Sequence, residues 1–241
     1  MWYILKFEIN ILLILLMVIV VRSFSREHDR FNQPFVYTCY AIIVCCSMHY
    51  IEAIVSYTNY SEVHQVLYVI ETVLWIFMPY WWLHFVFEKL GYGHYLKQGA
   101  VVYLKKAPLL IIGIMACISP FVPLLFKLNL FGDPVKGSYT YVMDIFVALY
   151  TTASLALCLT TSLLSSNSEL KKYAMYLTIP TIICGGIQTF TSYYMSNIFY
   201  VTETVFCIIT FINVHEDRVF IDALTGLNNR NRFKKYLSTV M

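Results

Sequence analysis

Seven apolar stretches decide what this chain can become. They run over residues 1–21, 35–57, 65–87, 107–126, 139–164, 173–192 and 197–214. Each is close to the ~20 residues a helix needs to cross ~30 Å of hydrocarbon. Barrel strands would be ~10 residues long and alternating, and no such pattern is seen. Composition points the same way: 59% of the 241 residues are hydrophobic and only 13% are charged. That is about half the charge of an average soluble domain, which argues against a soluble globule and against disorder. The expected fold is all-α, a polytopic membrane protein with a seven-transmembrane helix bundle over 1–214 and a cytoplasmic segment over 215–241. The lipid bilayer is then its first partner. Pro79, Pro120, Pro123 and Pro180 lie in or near spans. A bundle tolerates such breaks where neighbouring groups satisfy the freed carbonyls.

Basic residues set the orientation, because cytoplasmic loops carry the excess of Lys and Arg. Arg22, Arg26 and Arg30 follow the first stretch; Lys89, Lys97, Lys105 and Lys106 follow the third; Lys171 and Lys172 follow the fifth. Arg218, Arg230, Arg232, Lys234 and Lys235 follow the seventh. The other side keeps only Lys6, Lys127 and Lys136, so 14 of the 17 basic residues share one side. This places the N-terminus outside, the C-terminus in the cytoplasm, and the protein in the inner (plasma) membrane as a multi-pass chain. Arg22-Ser23-Phe24-Ser25-Arg26 is no small-residue cleavage site, so the first stretch reads as a retained span rather than a signal peptide. The net charge of +3 gives no argument for nucleic acid. Seven scattered cysteines show no metal spacing, and their odd number argues against a disulfide framework. They read as buried, reduced packing residues. No metal site and no cofactor is expected.

Ionisable groups inside a span are expensive and point to function. Here they are His49 and Glu52 in span 2, Glu71 in span 3, Asp144 in span 5 and Glu203 in span 7, with Gln188 in span 6 as an uncharged companion; His84, near the inner end of span 3 beside Trp81 and Trp82, reads as an interfacial packing residue. At 1.5 Å per residue from the outer ends, the four acids and Gln188 fall roughly 6–8 Å deep and His49 about 12 Å. His49 and Glu52 share a helix face, as do Tyr68, Glu71 and Trp75. One depth shared by five helices suggests a polar cavity open to the outside. A small cationic or hydrogen-bonding ligand would suit it, with Trp75 or a tyrosine for cation–π contact. No nucleophile–base pair stands out, so no catalytic residue is assigned and the chain is not read as an enzyme. The competing class is a small cation- or proton-coupled transporter or channel, which would need polar groups at several depths.

The tail adds a resemblance. Asp222-x-Leu224-Thr225-Gly226-Leu227-x-Asn229-Arg230-x-x-Phe233 resembles the opening segment of GGDEF-type diguanylate cyclase domains, over about the last 20 residues. The membrane part is similar, more loosely, to the seven-helix sensor regions of bacterial histidine kinases and diguanylate cyclases. The resemblance implies a signal junction at Asp222, Leu224, Thr225 and Gly226, a bacterial cyclic di-GMP output and a homodimer. The glycine-rich turn, metal-binding aspartate and guanine-binding residues of that family have no counterpart before Met241. The expectation is a transmembrane receptor whose output domain is absent from this chain.

Overall fold

The computed structural model describes residues 2–25, 33–55, 61–128, 134–190 and 196–219. Seven long helices make up nearly all of it: α1 (Trp2–Ser25), α2 (Gln33–Val55), α3 (Ser61–Lys89), α4 (Gly99–Ile118), α5 (Thr140–Leu164), α6 (Ser168–Phe190) and α7 (Ser196–Val219). Among the described residues, four segments are long and apolar enough to cross a membrane: Gln33–Ile51, Glu62–Lys89, Gly99–Ile118 and Thr140–Leu164. A shorter apolar helix covers Ile198–Asn213. The outer walls carry Leu12, Leu15, Leu110, Ile114, Leu149, Ile182 and other exposed aliphatic side chains. Apolar surface on that scale fits contact with lipid rather than water.

Helix α3 is the hub. It packs against α2, α4, α5 and α6, while α7 packs against α1, α2 and α6. Trp75, Tyr68, Tyr200, Phe35, Phe85 and Phe199 are the largest fully buried side chains, so aromatic rings fill the space between α2, α3 and α7. Helix α3 ends in a Schellman motif: Gly91 N–H bonds Glu88 O at 3.1 Å and Tyr92 N–H bonds Phe87 O at 2.8 Å. Gly91 adopts the left-handed conformation this cap requires, with φ +83°.

The fourth helix departs from the apolar pattern. The sequence suggests 107–126, but α4 ends at Ile118, because Pro120 disfavours helix at the residue before it. It starts earlier, at Gly99, and so takes Lys105 and Lys106 into its first half. Residues 119–125 instead turn the chain, and Phe126 opens β1 (Phe126–Leu128), antiparallel to β2 (Pro134–Lys136). Ser119 secures the corner, its hydroxyl donating to Met115 O at 2.7 Å and accepting from Leu125 N–H at 3.0 Å. Phe126 then lies 6.1 Å from the Tyr68 ring, so the hairpin rests on α3.

Helices α5 and α6 meet where Gly185 faces Thr151. A Cβ on Gly185 would overlap Thr151 Cγ2, and Thr151 cannot swing away freely because its hydroxyl bonds Val147 O at 2.9 Å. Gly185→Ala should therefore lower the unfolding midpoint in detergent, at a cost of about 1–3 kcal/mol. Adding Thr151→Ala should return most of it.

Candidate functional site

A buried polar centre joins three helices. Glu71, on α3, is 2% exposed. Its Oε1 lies 2.7 Å from His49 Nε2 of α2 and accepts a hydrogen bond of 3.1 Å from the Tyr200 hydroxyl of α7. The His49 and Tyr200 rings stand 5.3 Å apart, edge to face, and Cys45, one turn before His49, is in hydrogen-bond contact with Tyr200. One turn below Glu71, Trp75 packs 4.5 Å from Phe199 and 6.1 Å from Tyr200. Helix counting sets His49 deeper than Glu71 by about a turn. Their side chains meet nonetheless, since a glutamate reaches along its helix by about that much.

A second compartment adjoins the first, on the α6 side. It is a partly open recess of about 390 Å³, adjoining open space included, lined by Pro79, Trp82, Thr181, Cys184, Gln188 and Glu203 among others. Only water-sized occupants fit its interior as it stands. Glu203, three residues after Tyr200 on α7, is 6% exposed. Cys184 donates to its carboxylate, and Oε2 has no hydrogen-bond partner among the described residues. Trp82 Nε1–H donates to Thr181 Oγ1 at 2.8 Å, closing the floor between α3 and α6.

Gln188 has a nearer task than ligand binding. Its amide donates to Trp75 O at 2.6 Å. Trp75 is four residues before Pro79, and proline has no N–H to give that carbonyl. Gln188 thus supplies, from α6, the donor that α3 lacks.

The structure brings together His49, Glu71, Trp75, Gln188 and Glu203 in these two adjoining compartments. Tyr68 is also buried, with its ring 6.1 Å from that of Phe126. Asp144 is only partly buried. Among the described residues no hydrogen bond or ion pair ties it to the others, and its charged neighbour is Lys136. Glu52 lies in α2, but its side chain is outside the described residues, and so are Asp222, Leu224, Thr225 and Gly226.

Sequence reasoning missed Tyr200, Cys184 and Thr181. Tyr200 was within reach, because it shares a face of α7 with Glu203 at i, i+3. The expectation of uniformly buried cysteines also needs correction: Cys117 is exposed and Cys184 half-buried, while all seven are free thiols. The exposed face of α4 carries Cys117 beside Ile114 and Ile118, a place where a small apolar side chain costs nothing. Among the described residues, no group of three or more His, Cys, Asp or Glu could hold a metal ion.

No family model matches this chain, and no curated protein matches it. The functional reading therefore rests on the site.

Proposed function

We propose that this protein is a seven-span membrane receptor, N-terminus outside and C-terminus in the cytoplasm, that senses a small cationic or hydrogen-bonding ligand in its polar core. One observation carries the reading: α7 holds both Tyr200, bonded to Glu71, and Glu203, with a free carboxylate oxygen facing the second compartment. A ligand drawn to Glu203 acts on the helix that is also fastened to α2 and α3. That helix continues without a break to Val219, three residues short of the cyclase-like junction at Asp222. Ligand binding shifts α7, and the shift passes to a diguanylate cyclase output through a pair of chains. The charge count and the seven long helices support the orientation, and the tail motif supports the output.

Methylammonium tests the ligand class on the full chain in lipid nanodiscs. At a hundred times its dissociation constant a ligand stabilises by about 2.7 kcal/mol, so a clear rise in unfolding midpoint is expected. Glu203→Gln should abolish the rise, and slower alkylation of Cys184 should accompany it only in the wild type. Stabilisation that survives Glu203→Gln would sink this site.

The transporter reading has one observation in its favour. Buried Thr204, Cys207 and Thr210 follow Glu203 along α7, so polar groups are not confined to one depth. Cation-dependent flux in proteoliposomes, lost in Glu203→Gln, would select it.

A further inference from the structure

Two thiols on different helices meet beside the second compartment. Cys39 of α2 and Cys207 of α7 are both fully buried, and their side chains are in hydrogen-bond contact. We propose that they form a peroxide-reactive dithiol: hydrogen peroxide enters the recess and oxidises Cys207, and Cys39 then closes a disulfide that locks α2 to α7. This does not rest on the receptor reading.

The register of the two helices supports the pair independently. Tyr200 of α7 meets Cys45 and His49 of α2. Cys207 stands seven residues further along α7, and Cys39 six residues back along α2. Antiparallel helices rise by the same 1.5 Å per residue in opposite senses. The contact at Tyr200 therefore carries Cys39 and Cys207 to one level.

Access separates the two thiols. Cys207 lines the recess with Glu203 and Cys184, and Cys39 does not. Hydrogen peroxide is little wider than the water-sized occupants that fit there, whereas a quinone or an oxidised thiol peptide is far too large. Glu203 precedes Cys207 by one turn on the same face of α7. Among the described residues its Oε2 has no hydrogen-bond partner, so it can accept the proton that a thiol must lose to attack.

As the Cys207 sulfur attacks one peroxide oxygen, its proton passes to Glu203 Oε2, the S–O bond forms and the O–O bond breaks. The departing hydroxide takes that proton away as water and leaves a sulfenic acid on Cys207. The Cys39 sulfur then attacks the Cys207 sulfur. The S–S bond forms, the S–O bond breaks, and hydroxide leaves with the Cys39 proton as a second water. Two thiols lose two electrons, and the peroxide oxygens gain them. The new bond lies two turns of α7 beyond Tyr200, so α7 is held to α2 at two levels and cannot slide along it.

The full chain in lipid nanodiscs, exposed to hydrogen peroxide, alkylated and mapped by non-reducing peptide mass spectrometry, tests the pair. A linked Cys39–Cys207 peptide should form, raise the unfolding midpoint and disappear with dithiothreitol. The single variants should differ. Cys39→Ala should leave Cys207 as a sulfenic acid that dimedone captures, while Cys207→Ala should leave Cys39 reduced. Glu203→Gln should slow linkage about 100-fold, the lower end for a positioned base. Cys117→Ala, on the exposed face of α4, should leave the rate unchanged. A wild-type chain that keeps both thiols, linkage through Cys184 instead of Cys39, or Cys117 reacting ahead of Cys207 would overturn the dithiol. So would oxidation of Cys39 in Cys207→Ala, and an unchanged rate in Glu203→Gln would overturn the attack as written.

Discussion

Replacing Glu71 with alanine should be the most damaging single change in the core. The carboxylate is shared by His49 at 2.7 Å and Tyr200 at 3.1 Å, on two different helices. Removing it strands both partners where no water reaches. A broken buried pair costs about 3–5 kcal/mol in soluble proteins. In a bilayer the unfolded reference also finds partners for its polar groups, so about 3 kcal/mol is expected, read as a lower unfolding midpoint in detergent. Glu71→Gln keeps the shape and one acceptor oxygen, and should return more than half of the loss. The signature of a shared centre is non-additivity. Tyr200→Phe removes only the hydroxyl and should cost about 1 kcal/mol alone, yet almost nothing once Glu71 is alanine. If the two losses simply add, Glu71 and Tyr200 do not act as one unit. α7 would then lack the fastening to α3 on which the proposed transmission depends.

The bundle was largely legible in the sequence, because long apolar runs leave a helix few alternatives in lipid. Six of the seven helices overlap their apolar stretches closely, but α4 does not. Hydropathy reports burial in apolar surroundings rather than helical backbone, and Pro120 stops the helix where the apolar run continues. The hairpin went unforeseen for the same reason, since Phe126 reads as membrane-spanning by hydropathy alone. Polar residues were easier to find than to join. Scarcity made Glu71 and Glu203 conspicuous, yet no sequence spacing tells which helices become neighbours. Tyrosines are abundant here, so Tyr200 carried no signal by type. Only its register with Glu203 marked it. Asp144 shows the converse: shared depth is not shared direction, and its neighbours on α5, Met143 and Val147, take the core-facing positions.

The bond between Gln188 and α3 gives the sharpest test of how this bundle is held together. Gln188→Leu leaves Trp75 O buried without a donor, since Pro79 has no N–H to offer it. A stranded buried acceptor costs about 1–3 kcal/mol, and the unfolding midpoint should fall accordingly. Pro79→Ala restores the missing N–H within α3 itself. In that background Gln188→Leu should be nearly neutral, giving a coupling of about 1–2 kcal/mol in the double-mutant cycle. A general packing role for Gln188 would instead make the substitution equally harmful with or without the proline. The distinction reaches the site as well. If the proline explains Gln188, the amide is committed to Trp75 and is not available to a ligand. Gln188→Leu in the Pro79→Ala background should then bind methylammonium as the Pro79→Ala protein does. Recognition in the second compartment would fall to Glu203, with Cys184 and Thr181 beside it. A drop in methylammonium affinity in that background would return Gln188 to the ligand.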